Sequence, residues 1–223
     1  MKLGNQRPMV VRFMFMTLPA HVHSAVVFAL LIGCTVTHPV SISSEIAPAL
    51  MPTKKVPASV AVSCTEPLRS YRYHIDAIQI RKNFHSYDFA IGSALCKALL
   101  RSVGAAYTAP AQVSKAAPGA YEAVITFALH KSQIEISFEE TLKPSARALS
   151  VFAVTVELFD GRTIRRLHSS VVDGRAFLIR ALDDVSSREA EKVFAAAIEM
   201  SIQQLSDNTA LLLTQWAAEL SLP

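Results

Sequence analysis

A chain of 223 residues has room for one domain and a targeting segment rather than two large domains. Half of its residues are apolar and fewer than a fifth are charged, which excludes a wholly disordered chain. The formal charge of +4 looks basic, but removing Lys2, Arg7 and Arg12 from the 22 Lys/Arg leaves 19 against 18 Asp/Glu. With no helix-periodic basic face, zinc-finger spacing or RNA-binding aromatic signature, nucleic acid is not an expected partner.

The first 33 residues contain no Asp or Glu, carry Lys2, Arg7 and Arg12 early, and end in the apolar run 24–33. About ten apolar residues are too few to span a bilayer, which takes roughly 20. The pattern predicts an export signal, a charged start followed by a short apolar stretch. Translation starting at Met9 would leave Arg12 as its positive charge.

The run closes on Leu31-Ile32-Gly33-Cys34, which resembles the lipobox of bacterial lipoproteins: an aliphatic residue, a small or β-branched one, Gly or Ala, then the modified Cys. That resemblance implies cleavage before Cys34 and lipidation of its thiol, with several acyl chains giving a stable anchor. The bland alternatives are an ordinary secretory signal with an incidental Cys34, or a buried strand. Thr35 follows the cysteine, where Asp is the usual inner-membrane retention signal in enteric bacteria, so the resemblance favours the outer membrane over the periplasmic side of the inner membrane.

Residues 34–58 are rich in Pro, Ser, Thr and Ala without a sustained period and predict a semi-extended linker. The domain is then expected over 59–223. Alternation at 60–64 and 71–80 predicts strands. Phe89, Leu95, Leu99 and Val103 recur at helical steps, predicting a helix over 87–103 stopped by Gly104. A Pro/Ala/Gly segment, 105–119, separates it from alternating runs at 121–129 and 134–138, expected as a hairpin. A strand at 152–158 leads into Asp160-Gly161, a tight-turn signal, and a returning strand over 162–172. Ser186 and Glu189 form a capping box opening a long amphipathic helix, with a kink expected near Asp207-Asn208. Strand, helix, strands, helix predicts an α+β fold, an antiparallel sheet with two helices packed on one face.

Cys64 and Cys96 can either pair in an oxidising compartment or serve as small buried side chains. A catalytic thiol working with His74 or His85 lacks the surroundings of a cysteine protease. His74, His85, His130 and His168 lie on separate elements without metal-ligand spacing, and neither a phosphate loop nor a nucleophile elbow is present. No cofactor, metal or enzymatic activity is expected. Arg162, Arg165, Arg166 and Arg175 form the one local charge excess. They read either as a contact for anionic lipid, lipopolysaccharide or an acidic partner, or as a solvated strand edge guarded by charge.

From Tyr87 onward the chain resembles the YajG-type lipoproteins, through Leu99-Leu100-Arg101-Ser102-Val103-Gly104, the Asp160-Gly161 hairpin and Ile202-Gln-Gln-Leu-Ser-Asp-Asn208. The LptE-like assembly lipoproteins and the auxiliary lipoproteins of lipid-transport systems are similar in topology. These resemblances imply a lipid-anchored envelope protein binding a partner, or an auxiliary subunit of a lipid or lipopolysaccharide transport system. They carry no catalytic site to this chain.

Overall fold

The computed structural model describes residues 35–49, 55–80, 83–139, 143–183 and 186–220. Leu31, Ile32, Gly33 and Cys34 lie outside them. Among the described residues the chain forms eight strands and three helices, so the α+β class stands. The elements are β1 (Val36–Ser41), β2 (Val56–Cys64), α1 (Glu66–Arg69), β3 (Arg72–Ile80), β4 (Asn83–Ala90), α2 (Gly92–Ala106), β5 (Tyr107–Gln112), β6 (Ala123–Glu139), β7 (Ser145–Asp160), β8 (Arg166–Ala181) and α3 (Ser187–Leu220).

The strands make two sheets instead of one antiparallel sheet: a small one ordered β1-β4-β3 and a large one ordered β5-β2-β6-β7-β8. Both are mixed. β2 runs parallel to β5 and β6, and β1 runs parallel to β4. The reason lies in β2, where Val60, Ala61 and Val62 are all buried. A strand apolar on both faces suits an interior position, here between β5 and β6, and the chain between β2 and β5 supplies the long crossover that parallel pairing needs.

The expected helix over 87–103 divides. Tyr87 and Phe89 belong to β4, where His85, Tyr87 and Phe89 are buried at every second position, and the helix proper begins only at Gly92. That glycine is required, because a Cβ there would collide with the Leu68 and Arg69 carbonyls. Gly104 does not stop the helix; it continues to Ala106 and ends where Tyr107 turns extended. The segment expected to separate elements supplies β5, an edge strand that tolerates Pro110 because its outer side needs no ladder hydrogen bond.

The two runs expected as a hairpin are one 17-residue strand, β6. Their alternation slips at His130 because the ladder to β7 shifts register between Leu129 and Lys131, as a bulge does. Asp160-Gly161 is no two-residue turn either. The Asp160 carboxylate accepts from the Arg162 and Thr163 amides and the Thr163 hydroxyl, shaping a loop over 161–165 in which Ile164 sits at φ 54°. β8 therefore starts at Arg166 and runs well past Val172.

The capping hydroxyl of Ser186 accepts from the Glu189 amide at 3.3 Å, as expected, but the Glu189 carboxylate binds Lys192. α3 runs unbroken through Asp207 and Asn208. It lies across β7 and β8 with α2 beside it, and small residues set the closeness of approach. Gly174 has no room for a Cβ against the Ser201 carbonyl and Leu205. The buried hydroxyls of Ser150 and Ser201 meet at 2.8 Å, and those of Ser102 and Ser206 at 2.8 Å. At the small sheet the packing is aromatic: Phe194 meets Tyr87 edge-on at 5.3 Å.

Candidate functional surfaces

The stretch expected as a free linker is instead part of the fold. β1 begins at Val36, and residues 42–49 form a strap along α3 and α2 with Ile42 and Ile46 buried. The Ser43 amide donates to Glu199, the Ala49 amide to Asp207, and the Gln203 amide group to the Ala47 carbonyl. From the other side Arg101 donates to the Ser44 and Ile46 carbonyls at 2.6 and 2.8 Å and pairs with Glu45 at 3.0 Å. Proline and serine shape an ordered strap here because helix side chains satisfy its backbone. Its residues run past α3 in the same order as the helix, so β1 enters near the N-terminal end of α3.

His74, His85, His130 and His168 lie on four different strands, β3, β4, β6 and β8. His85 pairs with His38, a residue the sequence left in the linker, with Nε2 of His38 2.9 Å from Nδ1 of His85. One ring donates and the other accepts, and His38 also stacks on Tyr87. Burial, aided by the His38 imidazole, pushes the His85 ring below its ordinary value. His74 stays on the surface 3.6 Å from Asp76, His130 is exposed at the β6 bulge, and His168 stacks on Trp216 at 5.2 Å. Among the described residues no three metal-ligating side chains converge.

Cys64, at the end of β2, and Cys96, on the inner stripe of α2, are free thiols in hydrogen-bonding contact. That hydrogen bond, with burial and the second thiol's charge, drives Cys64 strongly upward, away from the thiolate form a nucleophile needs. Tyr107 is buried and its hydroxyl has no hydrogen-bond partner; burial pushes it up to about 12. A shallow cleft of about 230 Å³ is lined by Tyr107, and one of about 290 Å³ shares Val56 and Ala217 with it.

The arginines divide. Arg162, Arg165 and Arg166 crowd the β7–β8 turn, all exposed, with Arg166 paired to Glu157 at 2.9 Å. Arg175 lies nine residues further along β8, about 30 Å at strand rise, so it does not join them. There the edge of β8 is closed by α3: the Arg175 amide donates to Gln204 and the Asn208 side chain donates to the Asp173 carbonyl. Such helix amides block the strand-to-strand pairing that an open edge invites. The Asp160 carboxylate is held below its usual range chiefly by the Thr163 amide and hydroxyl, so it stays charged and keeps the arginine turn in shape.

No protein-family model matches the chain, and no curated protein matches it. Similar solved structures include a Xanthomonas campestris protein described as DUF330, with 13% identity, 82% of this chain and 99% of that chain covered, and a TM-score of 0.45. A minor lipoprotein from Acinetobacter baumannii follows at 7% identity, 76% and 100% coverage and a TM-score of 0.39. Lipoprotein B from Nitrosomonas europaea gives 20% identity, 78% and 93% coverage and a TM-score of 0.35. Likeness at this level carries no conclusion about activity or partner.

What sequence reading missed is the first strand and strap. The signal was present in Val36, His38 and Val40 at every second position, followed by Ile42 and Ile46, but four prolines outweighed it. A strand only six residues long leaves too short a pattern to stand out.

Proposed function

We propose that the protein is a non-enzymatic lipoprotein of the bacterial outer membrane, held by acyl chains on Cys34, whose folded domain binds an envelope partner. The observation that carries this reading is Leu31-Ile32-Gly33-Cys34 closing an apolar run behind a basic, acid-free start. Thr35, rather than Asp, supports the outer membrane.

Binding rather than reaction is supported by the dispersal of reactive groups. A catalytic pocket needs a nucleophile, a base and charge stabilisers converging on one point. Here the half-buried Cys64 and buried Cys96 thiols are occupied with each other, His38 and His85 likewise, and the other histidines sit on separate elements. The exposed arginine turn at 162–166 is the best-formed contact for an acidic partner.

Metabolic labelling with a palmitate analogue tests the anchor: the protein takes up label, Cys34→Ser loses it, and the labelled form sediments with outer membranes. Label retained by Cys34→Ser overturns the reading. Charge reversal at Arg162 and Arg165 is expected to reduce crosslinking to the partner, whereas His74→Gln, His130→Gln and His168→Gln leave function nearly unchanged. A folded, abundant histidine variant with the phenotype of a deletion would make an enzyme the better reading.

A further inference from the structure

We infer that the domain stands on its membrane by one particular end, with Val36 and Phe84 in the headgroup layer and Arg180 and Arg188 against anionic lipid phosphates. This rests on the lipid anchor proposed above and adds the surface that meets the bilayer.

The first support is chain length. Only Thr35 separates Cys34 from the first strand, so the Cα of Val36 lies within about 7 Å of that of the acylated residue. No spacer remains to lift the domain away. Whatever side chains surround the start of β1 must meet the headgroups.

The second is what surrounds it. β1 and β4 are parallel with Val36 opposite His85, which puts Phe84 next to the anchor. Val36 is 47% exposed and Phe84 39%, large apolar surface left open at that point of the small sheet. The Tyr87 hydroxyl donates to the Ser187 carbonyl, so the N-terminus of α3 lies at the same end. β8 runs antiparallel to α3, as His168 on Trp216 and Arg175 on Gln204 establish, and its last residues return there too. Exposed Arg180 and Arg188 both act on Glu189 in the first turn of α3. Apolar side chains flanked by arginines match the chemistry of an anionic bilayer interface.

The acyl chains already secure attachment, so this patch sets orientation. The arginine turn at 162–166 lies at the other end of α3, close to Trp216, whose position is 29 residues from Ser187, about 44 Å of helix. That separation is several Debye lengths at physiological salt. The turn thus faces the periplasm and not the bilayer that holds Cys34, which selects an acidic protein over lipid as its partner.

The test uses full-length protein purified from membranes and reconstituted in vesicles of phosphatidylethanolamine and phosphatidylglycerol whose acyl chains carry bromine. Trp216 is the only tryptophan. In a Trp216→Phe background, Phe84→Trp is expected to shift to the blue and lose most of its emission. Leu211→Trp, 17 residues along α3 from the Phe194 that touches Tyr87, keeps its emission. Equal quenching of both, or of neither, overturns the orientation. Should Trp216→Phe fail to fold, hydrogen exchange on the unaltered sequence serves instead. Residues 35–38 and 83–86 slow in vesicles relative to soluble Cys34→Ser protein, and unchanged exchange there overturns the inference. Intact mass separates the two failures: an acylated protein without quenching sinks only the orientation, and a protein without acyl mass sinks the anchor and the orientation together.

Discussion

The two sheets are built on opposite principles, and α3 is the element that serves both. The large sheet is held by long ladders, with β7 matched to β6 and β8 over nearly its whole length, and α3 approaches it closely on Gly174 and the Ser150–Ser201 pair. The small sheet has short strands and depends on rings: His38, Tyr87, Phe89 and Phe194 stack or meet edge-on in series. Ladder hydrogen bonds are distributed and tolerate local loss, whereas an aromatic cluster concentrates its burial in a few side chains. The small sheet should therefore be the part that a single truncation frees, and it is also the part that adjoins the proposed anchor.

Phe194→Ala breaks this contrast most forcefully. The ring is fully buried between the helix and Tyr87, and its loss is expected to cost about 3–5 kcal/mol. Hydrogen exchange should accelerate in β1, β3 and β4 before β6 to β8; uniform acceleration would mean that the sheets are one cooperative unit.

Gly174→Ala attacks the large sheet at the position where α3 approaches most closely. The added Cβ meets the Ser201 carbonyl and the Leu205 backbone, neither of which can swing aside, and overpacking of this kind costs about 2–3 kcal/mol. A fall in the urea midpoint with the protection of β1, β3 and β4 intact would sharpen the comparison. An unchanged midpoint would mean that the helix does not seat on β8 as described.

Arg101→Met removes the donors to Ser44 and Ile46 while keeping an apolar stem. Loss of these charge-assisted bonds at a half-exposed site is expected to cost about 1–2 kcal/mol and to expose 44–49 to proteolysis.

Acid should affect the small sheet before the carboxylates respond. His85 is held below its ordinary value, so the folded state refuses a proton that the unfolded chain accepts below about pH 6.5. Stability is complete above that value and declines as pH falls beneath it. Asp88, Asp160 and Glu189 are shifted downward and stay ionised in this window. The urea midpoint should be lower at pH 5.5 than at 7.5, and His85→Gln should shrink the difference.

Tyr107→Phe is the smallest change. It deletes a buried hydroxyl with no partner, so the midpoint should hold within about 0.5 kcal/mol or rise slightly. A clear loss would reveal a partner for that oxygen.

Taken alone, the sequence determined whatever depends on local order along the chain. The apolar run ending at Cys34, the alternation of β3, β6 and β7, the Ser186 cap and the stripe of α3 are all legible because backbone period and capping act within a few residues. Tertiary structure decided everything that depends on which element meets which. Parallel β2 between β5 and β6 in a mixed sheet, His38 against His85 and the Pro-rich strap along α3 each join residues far apart in sequence. The same holds for the division of the arginines: spacing in the chain groups Arg175 with Arg166, while a strand rising about 3.3 Å per residue carries it to another part of the molecule. Proline-rich composition misled for a related reason, since it reports the absence of local period and says nothing of the helix side chains that satisfy a backbone from outside.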